Sequence, residues 1–153
     1  MLYKKITVLA LAGLLVFAGC QKDKTGGSDP KSTWTIEGVT YTGTNPASYS
    51  TTSNSLSASD NTLNGDIEIQ FSTKPTMDGS FPVTDLGDTS ALINSSNCSI
   101  LVNTPSTSHY RSSGSHQVTV TVGTGGKLTA TFSGMLMKSG ASSSTLSGTI
   151  IEK

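Results

Sequence analysis

Charge is scarce in this chain. Only 13% of its 153 residues are Asp, Glu, Lys or Arg, against a usual share of about 25% in soluble domains. The ten basic and ten acidic side chains cancel, which argues against the basic patch or stripe of a nucleic-acid binder. Two cysteines are too few for a disulfide-dense scaffold or a four-cysteine zinc site. No stretch beyond residue 32 has a helical apolar stripe of useful length. The chain has no G-x-S-x-G elbow and no phosphate-binding loop, so neither of those chemistries has its scaffold. Hydroxyls take the place of the missing charge: 25 residues are Ser and 23 are Thr. The length fits one domain with an appendage.

The appendage stands first. Lys4 and Lys5 precede an apolar run from Ile6 to Ala18, broken by Thr7 and Gly13, and then come Gly19 and Cys20. A basic start ahead of a short greasy run is the pattern of a secretory signal. The run is too short to cross a hydrocarbon core about 30 Å thick. Phe17-Ala18-Gly19-Cys20 resembles the lipobox of bacterial lipoproteins, with Phe17 where Leu is usual. The resemblance implies that residues 1–19 are a signal peptide cut before Cys20. It also implies that Cys20 carries a diacyl group on sulfur and usually an acylated amine. Its competitor is an ordinary signal, or a signal anchor, with a cysteine there by chance. Cleavage removes two lysines and no acid, leaving eight basic and ten acidic side chains.

Residues 20–32 then read as the lipidated cysteine and a flexible tether. Gln21 to Ser32 contains a Gly-Gly pair, a Pro and no apolar residue. By analogy with enteric lipoproteins, Gln21 lacks the Asp that retains a lipoprotein in the inner membrane, so the expected address is the outer membrane. Gln21-Lys22-Asp23-Lys24 is similar to the surface-export tag of Bacteroidota lipoproteins, except that Lys24 stands where an acid is usual. Cell surface and periplasmic face stay open, and a plain solvated spacer explains the stretch equally well.

From residue 33 to 153 the apolar period is two, and a single all-β domain is expected. VTVTV at 118–122 and LTATF at 128–132 alternate apolar and Thr, joined by a Gly-rich turn. Ile67, Ile69 and Phe71 alternate likewise. Further strands are expected at 33–36, 39–43, 47–56, 91–93, 98–102 and 146–151. Turn residues fall between them at the spacing of sandwiches and barrels. The expected architecture is an antiparallel β-sandwich of roughly seven to nine strands, with a flattened β-barrel as the alternative. Trp34, Ile36, Val39, Tyr41, Ile67, Ile69, Phe71, Val83, Ile100, Val102, Val118, Val120, Val122, Leu128, Phe132 and Ile150 form the expected core. The order of TWTIEGVTY, a Gly-Ser-Phe-Pro loop, VTVTV and LTATFSGML resembles small uncharacterised all-β lipoproteins of Bacteroidota, a likeness that implies fold and location only.

Candidate chemistry is sparse. Asp60 to Asp66 has the look of a calcium loop, but Phe71 falls where the bidentate Glu is needed; Asn64-Gly65 reads as a two-residue hairpin turn instead. His109, Tyr110, Arg111 and His116 make the densest cluster of binding-type side chains, on what reads as a Ser/Gly-rich loop. Two histidines lack the third ligand of a catalytic zinc. Trp34 is a stacking platform for a sugar if exposed, though its strand setting favours the core. Cys98 reads as a small buried hydrophobe. Asp66 and Glu68, about 7 Å apart along a strand, are spaced for glycoside hydrolysis but sit on a polar outward face. Asp85 and Asp88 belong to a loop.

These residues point to a lipid-anchored, non-catalytic β-module of the outer membrane serving interaction, adhesion or envelope structure. Its membrane partner is engaged through Cys20; no cofactor, metal or nucleic acid is expected. The alternative is a carbohydrate-binding accessory lipoprotein using Trp34, a Tyr and the 109–116 segment, with a glycan or envelope protein as partner. A small hydrolase using Asp66 or Glu68 is the third reading.

Overall fold

The computed structural model describes residues 29–84, 96–106, 109–112 and 115–153, with 109–112 described by backbone alone. Eleven strands follow one another: β1 (Thr33–Ile36), β2 (Val39–Thr42), β3 (Ser48–Ser50), β4 (Ser55–Asp60), β5 (Gly65–Phe71), β6 (Gly79–Val83), β7 (Cys98–Asn103), β8 (His109–Ser112), β9 (His116–Val122), β10 (Leu128–Ser139) and β11 (Ser142–Ile151). A 3₁₀ turn, Thr124–Gly126, joins β9 to β10. Among the described residues no helix is long and apolar enough to cross a membrane.

The chain is all-β, as the alternation requires, and its strands form one mixed sheet that is not closed into a barrel. Ten strands lie on a single path, β2-β1-β11-β10-β9-β6-β7-β5-β4-β3, while β8 lies off it, paired with β7 and β10. Among the described residues the strands pair antiparallel except for β6 with β7 at Val83 and Cys98, and an isolated bridge of Ala47 with Glu152 is also parallel. The sheet turns its apolar face inward around one cluster of buried residues. Its two ends approach each other. The Thr42 N–H at the β2 edge donates to Asp60 Oδ2 on β4 at 2.9 Å, and the Thr44 N–H to the Ser59 carbonyl at 3.0 Å. The flattened barrel, the alternative reading, is not formed, because the two ends meet through these contacts without closing into a barrel; eleven strands exceed the seven to nine expected.

The core is filled by alternate residues. Trp34 and Ile36 of β1, Ile67, Ile69 and Phe71 of β5, Ile100 and Val102 of β7, Val118 and Val120 of β9 and Ile150 of β11 are all buried. Trp34 stacks on Tyr41, with ring centroids 5.5 Å apart. Val39 departs from expectation: it stands at the tip of the β1–β2 hairpin, 41% exposed, because the core ends at Ile36. Met135 and Met137 join the core through a bulge. The register of β10 against β11 shifts between Phe132 and Met135, with Gly134 at φ 63°, so the inward positions change from even to odd.

Three further expectations are corrected. The segment 47–56 is two strands, β3 and β4, separated by a turn at 51–54. Gly79–Val83 is a strand, not a loop; Pro82 is tolerated because β6 meets β7 only at Val83, so few ladder donors are needed on that side. The Asn64-Gly65 turn is a four-residue loop, 61–64, because Asp60 pairs with Gly65. Asn64 supplies the left-handed residue at φ 51°. Gly65 is required for another reason: a β-carbon there would overlap Cδ1 and Cε1 at the edge of the Tyr41 ring. The strand expected at 91–93 lies outside the described residues.

The first and last parts of the domain are fastened together. The Ile151 N–H donates to Ser32 Oγ at 2.9 Å, and the Gly43 N–H to the Ser32 carbonyl at 2.8 Å. Lys153 pairs with Asp29 at 3.1 Å. Glu152 takes Lys74 Nζ on one oxygen and the Leu128 N–H on the other, both at 2.9 Å. Lys74 also lies 4.7 Å from the centre of the Tyr49 ring. Burial foremost, and then the Glu152 charge, push the Tyr49 hydroxyl pKa up.

Candidate functional site

The outward positions of the sheet carry hydroxyls, and the register aligns them. Thr42 opposes Thr33, Thr33 opposes Thr149, Thr149 opposes Thr131, Thr131 opposes Thr119, and Thr119 opposes Ser80. Directly opposed residues share a face and lie about 4.8 Å apart, so this row crosses six strands over about 24 Å. Thr40, Thr35 and Ser147 flank it on one side, and Thr121 and Thr129 on the other. Every position named in these rows is uncharged. Thr-x-Thr on β1, β2, β9 and β10 supplies most of them: while one residue in two enters the core, the hydroxyl and methyl of Thr suit an outward pleated surface.

Of the row, Ser80 has its hydroxyl committed, to Gln117 Oε1 at 2.6 Å. The hydroxyls of Thr33, Thr149, Thr131 and Thr119 make no hydrogen bond among the described residues. In the flanking row Thr35 and Thr40 hydroxyls meet at 2.8 Å. At its β2 end the row runs into an open depression of about 400 Å³ lined by Lys31, Thr40, Thr42, Thr44, Asp60, Thr62 and Leu63. A smaller cavity of about 150 Å³ adjoins it beside Asn45, Pro46 and Lys153.

Asp60 is buried at the floor of that region and is fully used by the backbone. Its Oδ2 accepts from Thr42 N, and its Oδ1 accepts from Thr62 N at 2.9 Å and Leu63 N at 3.0 Å. The Thr42 N–H foremost, and then Leu63, hold its carboxyl below the ordinary 3.8, with Thr62 adding to them and burial opposing. This carboxylate ties β2 to the β4–β5 loop. Because its folded pKa is depressed, the stability it contributes is full above pH 3.8 and is lost as pH falls through the folded value. Asp60→Asn should therefore melt several degrees below wild type at pH 7, with the gap shrinking toward roughly pH 2. Thermal melts of both proteins at the two pH values check this; a gap independent of pH refutes it.

The residues singled out in the sequence do not converge. Trp34 is 1% exposed and closed against Tyr41, so it offers no face to a sugar; its indole N–H has no partner among the described residues. The expected loop at 103–115 contains strand β8: His109, Tyr110 and Arg111 pair with Asn103, Val102 and Leu101. Their side chains lie outside the described residues. His116 opens β9, and its Nε2 accepts the Leu136 N–H at 3.1 Å. It thereby fills the ladder where β10 passes from β9, last paired at Thr131, to β8, first paired at Met137. Asp66 accepts from Asn103 Nδ2 at 2.8 Å and stands, like Glu68, on the outer face of β5. Cys98 is buried, its thiol 3.7 Å from the Phe81 carbonyl. Cys20, Asp85 and Asp88 lie outside the described residues.

Fold and site together define a class: a rolled all-β domain displaying an uncharged hydroxyl face. No family model matches the chain, and no curated protein or solved structure matches it either.

Proposed function

We propose that the protein is a lipid-anchored outer-membrane lipoprotein whose β-domain is a non-catalytic interaction module. The observation that carries the reading is the run Lys4 to Cys20, a basic start and short apolar stretch ending in Ala18-Gly19-Cys20. Two or three acyl chains on Cys20, at about 0.8 kcal/mol per buried methylene, hold a protein on a bilayer for its lifetime. The domain suits such a tether, for Ser32 at its start is bonded to Gly43 and Ile151, so pull on the anchor is taken up by the sheet. The module reading is supported by four of the seven described carboxylates: Asp60, Asp66, Asp78 and Glu152 each accept a backbone or side-chain donor within the domain.

Metabolic labelling with palmitate tests the anchor. The wild-type chain should take up label and remain with the membrane fraction; Cys20→Ala should take up none and appear as soluble protein. Equal labelling of the two overturns the reading. Protease shaving of intact cells then distinguishes a surface-facing domain from a periplasmic one.

A further inference from the structure

We infer that the outward hydroxyl row from Ser80 to Thr42 is a docking track for an uncharged polysaccharide chain. This names the partner of the interaction module and rests on that reading; it does not require the lipid on Cys20. The first argument is charge. Thr42, Thr33, Thr149, Thr131, Thr119 and Ser80 are uncharged; charge stands only at the two ends, Lys31 and Asp60 in the depression beside Thr42 and Asp78 near Ser80. A polyanion or polycation laid along the six residues would lose hydration and gain little counter-charge, whereas a neutral polymer loses little.

The second argument is chemical type. Each threonine presents a hydroxyl, which both donates and accepts, beside a methyl group. A chain of sugars presents the same pair, hydroxyls beside C–H faces. The hydroxyls of Thr33, Thr149, Thr131 and Thr119 make no hydrogen bond among the described residues. The third is shape. A sheet twists by about 20–25° per strand, so across six strands the row turns through about 110°. A flat crystalline lattice could touch only a strand pair, but a flexible chain can follow the row. At the β2 end the depression beside Thr40, Thr42 and Thr62 gives that chain a concave terminus. Single contacts of this kind are weak, and a repeating ligand on a repeating surface gains by effective concentration. Binding should therefore depend on polymer length.

Affinity electrophoresis of the detergent-extracted full chain, in native gels cast with dextran, galactomannan or xyloglucan, tests the inference. At least one of these neutral polymers should retard the protein, and a trisaccharide of the same sugars should not compete. Thr33→Ala/Thr119→Ala/Thr131→Ala should weaken retardation at least ten-fold at an unchanged melting temperature, and Ser57→Ala on β4 should leave it unaltered. Should the triple variant melt early, Thr131→Lys on the exposed face is read in its place, with the same loss expected. Three results overturn the inference: no retardation by any neutral polymer, retardation that the row variants keep, or equal retardation by polygalacturonate. A fourth is dimerisation abolished by the row variants without polymer, which assigns the face to a second copy of this chain. Palmitate labelling of the same preparation is scored separately, so a labelled protein that binds no polymer overturns this inference and leaves the anchor standing.

Discussion

Gly148→Val should yield no cooperatively folded domain. Gly148 lies directly opposite Trp34 where β11 passes β1. A β-carbon there would sit 2.8 Å from Trp34 Cα, 2.9 Å from its Cβ and 2.5 Å from the Thr33 carbonyl oxygen. These obstacles are main chain or bound directly to it, so no rotamer change relieves them. The strands would have to separate, and with them the Trp34–Tyr41 stack and the fit of Tyr41 over Gly65. Overpacking a core costs about 1–3 kcal/mol when side chains can adjust; here the backbone must move, against a total stability of about 5–15 kcal/mol. The smaller Gly148→Ala should fold but lose about 3 kcal/mol. Urea unfolding followed by tryptophan fluorescence checks both, and an alanine variant as stable as wild type would contradict the close approach of β1 and β11.

The second large effect is kinetic. Cys98 should be inert to a thiol reagent in the native domain and react promptly once it is unfolded. Burial pushes its thiol up from 9.0 to about 12, which cuts the reactive thiolate at neutral pH by roughly a thousand-fold. The same burial, 0% exposure, also bars the reagent. Thiol titration of the membrane-extracted protein should give none before denaturation and one after. Fast native reaction would place Cys98 at the surface. A second thiol after denaturation would mean that the sulfur of Cys20 is free.

Much of the fold is legible in the sequence because the inward positions alternate strictly. VTVTV and LTATF announce β9 and β10; Val118, Val120, Leu128 and Phe132 are buried where the pattern puts them, while Val122, expected in the core, is only half-buried at the end of β9. Reading fails where one residue changes parity or where packing overrides a local preference. The bulge at Gly134 hides Met135 and Met137 from a period-two reading. Pro82 disguises β6, whose few ladder partners on the β7 side exist only in the fold. Asn64-Gly65 carries the composition of a tight turn, but the glycine is there to admit Tyr41. The site was less legible still. Thr33 and Thr149 are neighbours only because β11 lies beside β1. Thr-x-Thr repeats were the visible signal, yet a row arises only from the register among strands far apart in the chain.

The place of β11 also bears on how the domain assembles as it is made. β11 is the last of the described strands, yet it sits inside the sheet, between β1 and β10. A chain made from its N-terminus therefore presents the β1–β2 hairpin long before that hairpin has a sheet to join. Contacts of such long range close slowly. While β11 is still on the ribosome the sheet lacks the strand that links its two halves, and the emerging chain stays an unfinished polypeptide.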